Sequence, residues 1–321
     1  MNRRPLRPAA ALTVAGLLAA SLAACTPADS AASGDTVTVG TLRAQPHLFT
    51  PFFYDDFAPE GTEFEIVLFD TSTDIKNAVV SGSVDFGVTG APSVLAGVAA
   101  DQGVRIVASS ADGGTRIVGS PDIAGPQDLV GRSIGYPMGS SQEILLKLTL
   151  AAQGIDPADV ELVNLPFAEM AGAYESGQID AMSSAEMGPS IAMEAGAVEI
   201  VSPYETPVGR VNIVLATSEE LIESDPELVQ QVVDAHVQAS EHLAASPEEW
   251  ATGLVEEFGL DPAVVERAIT NVWPRWALDD AYQAQVFALA DEMVAFDQLD
   301  GAPDTSQIFD TTFVEASTYA D

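Results

Sequence analysis

Short runs of apolar, often β-branched residues recur along the first two thirds of the chain, and segments with apolar residues at helical spacing separate them. Such runs predict strands, and the segments between them predict helices. Strands joined through helical stretches cannot pair by tight hairpins, so the pattern favours parallel βα units and an α/β fold. The predicted strands are 36–42, 64–69, 84–88, 104–108, 133–136, 160–165, 198–201 and 210–216.

The last third of the chain has the pattern of successive helices. The dipeptides Asp225-Pro226, Ser246-Pro247 and Asp261-Pro262 each place a capping residue before a proline, which is typical of a helix start. His236 lies on the apolar stripe of the first of these helices. A lone histidine lacks the close partners that metal or nucleophile chemistry needs, so we expect a packed residue and no metal site.

Small and polar residues follow several of the predicted strands. In open α/β sheets, ligands bind beyond the carboxyl ends of the strands. The sequence therefore predicts a ligand site at this edge, although Gly, Pro, Ser and Thr are also the ordinary residues of turns. The candidates at these strand ends are Gln45, His47, Ser72, Thr73, Gly90, Ala91 and Pro92.

The segment 133–143 predicts a strand, a turn and the start of a helix at Ser140 and Ser141. The first N–H groups of a helix have no acceptor within it and the helix dipole is positive there, so backbone amides and hydroxyls could hold a small anion together. The alternative is structural, because Ser140 with Glu143 three residues later also fits a capping box.

The first 24 residues have the features of an export signal. Arg3, Arg4 and Arg7 precede an apolar run from Ala9 to Ala20, which is too short to span a bilayer. Leu-Ala-Ala-Cys at 22–25 resembles the lipobox of bacterial lipoproteins, in which the cysteine is acylated. We therefore expect Cys25 to be lipidated, residues 25–34 to form a flexible tether, and the protein to be anchored to the outer face of the cell membrane. The alternative is an ordinary cleaved signal.

The chain is strongly acidic, with 48 acidic and 12 basic residues and a formal charge of −36. Such a charge argues against nucleic acid and against anionic membrane surfaces as partners. It does not exclude an anionic ligand, because local donors govern binding at a buried site. Beyond the tether, about 285 residues are enough for roughly two domains.

The ordered motifs of the chain together resemble those of the solute-binding proteins of ABC importers, in the nitrate, sulfonate, taurine and thiamine-precursor group. The resemblance covers nearly everything from Thr36 to Tyr319. The motifs that carry it are AVVSGSVDFGVTG at 78–90, DLVGRSIG at 128–135, GSS at 139–141, DVELVNL at 159–165 and GQIDA at 177–181.

The resemblance implies a two-lobed α/β fold of the periplasmic-binding-protein type II, with the ligand in the cleft between the lobes. The lobes would comprise residues 35–117 with 216–321, and residues 118–215. Hinge closure would bury a small organic ligand and present a new surface to a membrane permease. The resemblance also implies a monomer without a cofactor, which binds and delivers its ligand and does not catalyse.

The family's binding residues match this chain unevenly. Ser140 and Ser141 match a hydroxyl pair that holds the acidic head group in sulfonate and taurine binders. Gln142 stands where those binders commonly have histidine, and their tryptophan after 180–181 is missing here. Glu186 could keep an acidic role toward an amino group of the ligand, or be a solvated loop carboxylate. Further candidates for the ligand site are Tyr136, Gly139 and Phe167.

Other functions stand beside this one. A binding protein for a pyrimidine or thiamine precursor fits the same motifs, and the two-lobed fold also hosts biosynthetic enzymes. A ligand sensor that signals to a membrane partner fits as well. Against catalysis, the sequence has only His47, His236 and His242 as histidines and offers no Ser-His-Asp arrangement.

Overall fold

A computed structural model describes residues 36–319, and the predicted export signal, lipidated Cys25 and tether lie outside these residues. Eleven strands occur among the described residues. They are β1 (Thr36–Leu42), β2 (Glu63–Phe69), β3 (Phe86–Gly90), β4 (Val104–Gly113), β5 (Thr115–Gly119), β6 (Ser133–Tyr136), β7 (Glu161–Asn164), β8 (Ala181–Ala185), β9 (Val198–Val201), β10 (Val211–Ser218) and β11 (Val272–Pro274).

Helices connect these strands and make up most of the last third of the described chain. They are α1 (Ser72–Val80), α2 (Ala91–Ala99), α3 (Ser141–Ala152), α4 (Met170–Glu175), α5 (Met187–Glu194), α6 (Glu219–Ser224), α7 (Pro226–Ala245), α8 (Pro247–Phe258), α9 (Pro262–Ile269), α10 (Asp280–Ala295) and α11 (Thr312–Ala316). Across residues 36–319, none of the helices combines the length and apolar character needed to span a bilayer.

The strands form two sheets, which confirms an α/β fold. Sheet one has the order β11-β4-β10-β3-β1-β2, and sheet two has the order β7-β6-β8-β5-β9. The predicted parallel pairing holds for β1 with β2 and β3, and for β6 with β7 and β8. It is wrong for the predicted strands β4, β9 and β10, which pair antiparallel with their neighbours. The strands β5 and β11, which the sequence pattern does not predict, also pair antiparallel.

The chain changes sheets at two crossovers, and both lie earlier than the sequence predicts. The first is the pair Gly113 and Gly114 between β4 and β5, where φ is +80° and +74°. Glycine suits both positions because its backbone adopts positive φ without strain. The second is 202–210, so all of β10 belongs to sheet one, whereas the sequence placed residues up to 215 in the other lobe.

The three predicted cap-then-proline helix starts are confirmed at α7, α8 and α9. The side chains of Asp225 and Asp261 accept hydrogen bonds from backbone N–H groups of the first turn. His236 on α7 is fully buried, with Tyr54 Oη 2.6 Å from its Nδ1 and the Ser109 carbonyl oxygen 2.7 Å from its Nε2. Burial lowers the pKa of His236 to about 4. The histidine is therefore a neutral core residue, as predicted.

Candidate functional site

A cavity of about 250 Å³ lies at the carboxyl ends of β1, β2, β3 and β6 and is lined by residues of both sheets. This is the sheet edge at which the sequence predicts a ligand site. Most of the candidate residues line the cavity: His47, Ser72, Thr73, Gly90, Pro92, Gly139, Ser140, Ser141, Gln142 and Phe167. Four candidates are not in its lining: Gln45, Ala91, Tyr136 and Glu186.

Three helices begin at the cavity. The first residues of α1, the N-cap Gly90 of α2 and the N-cap Ser140 of α3 all line it. Each helix start carries a partial positive charge and N–H groups that have no acceptor within the helix. The wall of the cavity thus presents three positive helix ends, which favours an anionic group.

The hydroxyls of Ser140 and Ser141 are both engaged with other protein atoms. Ser140 Oγ donates to the Pro137 carbonyl at 2.5 Å and accepts from Glu143 N at 3.3 Å. Ser141 Oγ donates to Asn212 Oδ1 at 2.6 Å. A hydroxyl has a single proton to donate. In this arrangement neither hydroxyl can donate to an anion, which leaves backbone amides as the donors that the start of α3 could offer.

Ser141 and Gln142 also connect sheet two to the first crossover. Asn212, which receives the Ser141 hydroxyl, lies on β10 of sheet one and donates from Nδ2 to the Gly113 carbonyl at 2.5 Å. Gln142 Nε2 donates to Thr115 Oγ1 at 3.0 Å. The start of α3 is therefore tied to the residues about which the two sheets are joined.

Glu143 takes part in capping the start of α3, as the capping-box alternative predicts: its amide donates to Ser140 Oγ. Its Oε2 accepts from the Gly139 amide at 2.7 Å and from Gln298 Nε2 at 2.7 Å. Its Oε1 forms an ion pair with Lys147 Nζ at 2.7 Å. The carboxylate thus has donors on both oxygens and already occupies the amide of Gly139.

On the opposite wall, Ser72 and Gly90 contact each other. The Gly90 amide donates to Ser72 Oγ at 3.2 Å, and Thr89 Oγ1 donates to the Ser72 carbonyl at 3.0 Å. A Cβ atom at residue 90 would lie 3.1 Å from Ser72 Oγ. Glycine therefore allows the two helix starts to approach this closely.

His47 is only 3 % exposed, and its Nδ1 has no hydrogen-bond partner among the described residues. Burial lowers the pKa of His47 to about 3, so the ring is neutral at physiological pH. The ring packs against the crossover, since a Cβ at Gly114 would lie 2.9 Å from its Cγ and Nδ1. An unpartnered polar atom of a residue that lines the cavity is available to a ligand or a water molecule.

Of the two alternatives for Glu186, the solvated loop carboxylate is wrong, and the residue proposed as a ligand contact is not in the cavity lining. Its carboxylate is fully buried; Oε1 accepts from Arg116 Nε at 2.6 Å and from Asn271 Nδ2 at 2.5 Å, and Oε2 accepts from Ser190 Oγ at 2.7 Å. Burial raises the pKa of Glu186 to about 7, against the opposing effect of Arg116. With these three donors in place, the carboxylate is part of the core and is not directed at the cavity.

Asp70 and Asn212 are among the lining residues that the sequence-based candidates do not include. Asp70 follows β2 directly, and Asn212 lies within β10. Asp70 could have been found, because it stands at a strand end two residues before Ser72. Asn212 could not, since its partner Ser141 is 71 residues away in the chain. Within residues 36–319, no group of three or more His, Cys, Asp or Glu side chains could hold a metal ion.

Comparisons with known proteins agree with this architecture. The family described as NMT1/THI5 like matches residues 55–250, which is more than half of the chain. The taurine-binding periplasmic protein of Escherichia coli is 30% identical over 206 residues, covering 60% of this chain and 62% of that protein. The formylaminopyrimidine-binding protein of Halalkalibacterium halodurans is 28% identical over 200 residues, covering 60% of each chain. The match thus spans about three fifths of these relatives.

A solved structure gives the same fold over a longer stretch. The alkanesulfonate-binding protein SsuA from Xanthomonas axonopodis pv. citri, bound to MOPS, superposes with a TM-score of 0.74 at 22% identity. The superposition covers 85% of this chain and 98% of that chain. At this identity the likeness concerns the fold, which is the two-sheet α/β architecture described above.

Proposed function

Because the chain belongs to the NMT1/THI5-like family, we propose that it is the extracytoplasmic binding component of an ABC importer. It captures a small organic ligand with an acidic head group between two lobes and delivers it to a membrane permease. The lobes consist of sheet one and sheet two with their helices, and they close about the crossovers at 113–114 and 202–210. Cys25 anchors the chain to the outer face of the membrane as a lipidated residue, and the protein acts as a monomer without a cofactor.

One observation carries the proposal: three helix starts converge on a cavity that both sheets line. Amides at helix starts bind anions without a cationic side chain, because the dipole and the N–H groups act together. A hinged cleft then excludes water around the head group, which strengthens these hydrogen bonds. Two relatives and a neighbour of this chain are named for small organic ligands, and two of these ligands, taurine and alkanesulfonate, carry an acidic group.

Sulfonates are the first candidates, since the relative with 30% identity is named for taurine. A pyrimidine or thiamine precursor is the second candidate, because a relative of nearly equal similarity is named for formylaminopyrimidine. A same-fold enzyme is disfavoured by the cavity itself. Its lining among the described residues offers no activated nucleophile, since Ser140 and Ser141 donate to protein acceptors and His47 contacts neither hydroxyl.

The test is thermal unfolding of the purified protein with taurine, alkanesulfonates, nitrate and hydroxymethyl- and formylaminopyrimidines. A ligand at one hundred times its Kd stabilises the folded state by about 2.7 kcal/mol, which raises the melting temperature by several degrees. We expect a sulfonate to give the largest rise. A rise with the pyrimidines alone would assign the second candidate, and no rise with any compound would overturn the proposed ligand class.

A pair of variants at Met138 then tests the head-group position. Met138 lines the cavity directly before Gly139 and is 65 % exposed, so its substitution leaves the core intact. Met138→Glu adds a negative charge beside the start of α3, and Met138→Gln adds the same shape without the charge. We expect the dissociation constant of the acidic ligand to be at least about threefold higher for the Glu variant than for the Gln variant. Equal affinities would place the head group elsewhere.

A further inference from the structure

Asp70 is an acidic residue in the lining of the cavity, and binding of an acidic head group gives it no role. Of the described residues that line the cavity, Asp70 is the only acidic one; no lysine or arginine is among them, and His47 is neutral. Resting on the function proposed above, we propose that Asp70 binds a cationic group of the ligand. The ligand would then be a zwitterion, with an acidic head at one end and an ammonium group at the other.

The carboxylate of Asp70 has no competing partner. It forms no hydrogen bond or ion pair with any of the described residues. Parallel pairing of β1 with β2 aligns Leu42 with Phe69 and so brings the backbone of Arg43 beside Asp70. The Arg43 guanidinium is not within ion-pair distance of Asp70 and does not line the cavity. The negative charge is therefore not neutralised within the described part of the protein.

Glu186 and Glu143, which follow the lining residues Ala185 and Gln142 in the chain, cannot take this role. Glu186 is buried beneath Arg116, Asn271 and Ser190, as described above. Glu143 has its oxygens occupied by the Gly139 amide, Gln298 and Lys147. Among the residues that the structure describes, Asp70 is left as the one carboxylate that both lines the cavity and has free acceptor positions.

The combination of charges selects among ligands. A ligand with only an acidic group would be attracted by the three helix starts and repelled by Asp70. A ligand that also carries an ammonium group is attracted at both ends, and the two groups enter one cavity of about 250 Å³. Asp70 is exposed, so solvent weakens the effect but does not remove it.

The experiment compares two probes that differ in the amino group: 2-aminoethanesulfonate and ethanesulfonate. Calorimetric titration of the whole protein gives the ratio of their dissociation constants for the wild type, Asp70→Asn and Asp70→Lys. Glu65→Gln is the matched control, because Glu65 is an exposed acid on β2 outside the cavity lining. Far-UV circular dichroism checks that each variant is folded.

We expect the wild type and Glu65→Gln to bind 2-aminoethanesulfonate about three- to tenfold more tightly than ethanesulfonate. Asp70→Asn should reduce this ratio to near one, and Asp70→Lys should reverse it. If both probes bind but the ratio is the same in the wild type and in Asp70→Asn, the assignment of Asp70 is wrong while the proposed function stands. If neither probe binds any of the proteins, both the acidic-head ligand class and this assignment are overturned.

Discussion

Glu186 and Glu199 bind the same arginine in two different environments, and this pair allows a quantitative test of buried charge. Each carboxylate lies 2.6 Å from the guanidinium of Arg116, but the Glu186 side chain is fully buried and that of Glu199 is 37% exposed. Burial raises the pKa of Glu186 from 4.5 to about 7. A shift of this size corresponds to about 3 kcal/mol between the protonated and ionised forms.

The direction of the effect follows from proton binding. Between pH 4.5 and 7 an unfolded chain has released the proton of Glu186 while the folded chain retains it. Raising the pH therefore favours unfolding, and the contribution of Glu186 to stability is fully present below pH 4.5 and lost as the pH rises through 7. The variant Glu186→Gln cannot ionise. We expect the free energy of unfolding of the wild type, relative to this variant, to fall by about 2–3 kcal/mol from pH 5 to pH 8.

Urea unfolding at pH 5, 6, 7 and 8, followed by tryptophan fluorescence and far-UV circular dichroism, measures this difference. The comparison removes the contribution of the buried histidines His47 and His236, because both proteins contain them. In the control Glu199→Gln the loss should stay below about 1 kcal/mol, since the carboxylate stays in contact with water. A difference for Glu186→Gln that is flat or rises with pH would show that Arg116 outweighs burial and would refute the reasoning.

Two further predictions concern the crossover and the start of α3. The first is a double-mutant cycle on the free energy of unfolding with Ser141→Ala and Asn212→Ala. The two substitutions should show a coupling energy of about 1 kcal/mol, because the Ser141 hydroxyl donates to Asn212. Additive effects would show that this hydrogen bond is absent in solution. The second compares Gly114→Ala with Gly131→Ala. Both glycines have positive φ, but only a Cβ at residue 114 would lie 2.9 Å from the His47 ring. Gly114→Ala should therefore lower the melting temperature more than Gly131→Ala. Equal losses in thermal unfolding scans would mean that the ring moves aside without cost.

The elements of the fold could be predicted wherever one local signal was enough. The β-branched runs predicted β1, β2, β4 and β10, and the capping residues before prolines predicted α7, α8 and α9. The strand β8 was missed because its sequence, Ala-Met-Ser-Ser-Ala, has small residues and a fully buried pattern in place of alternation. The antiparallel direction of β10 was missed because an apolar run does not encode the direction of its partner.

The location of the cavity was predictable because it follows from the order of strands and helices. Strand ends of parallel units meet at one edge, so Ser72, Gly90 and Ser140 reach the same cavity although they lie far apart in the chain. The roles of the polar side chains were not predictable in this way. The environment of Glu186 depends on Arg116 and Asn271, which are 70 and 85 residues distant, and no local pattern reports such contacts.

Ser141 lines the cavity, but its hydroxyl donates its hydrogen bond to another part of the protein. The position matches a hydroxyl pair that resemblance alone would assign to the ligand, yet the proton of Ser141 is donated to Asn212 on the opposite sheet. Asn212 in turn holds the carbonyl of Gly113 at the crossover. Under the proposed function, the amides of α3 bind the head group and the Ser141 hydroxyl fixes the helix start relative to the other lobe. Loss of the hydroxyl should therefore change the stability of the closed arrangement more than the contact with the ligand, whereas a charge at Met138 acts on the ligand directly.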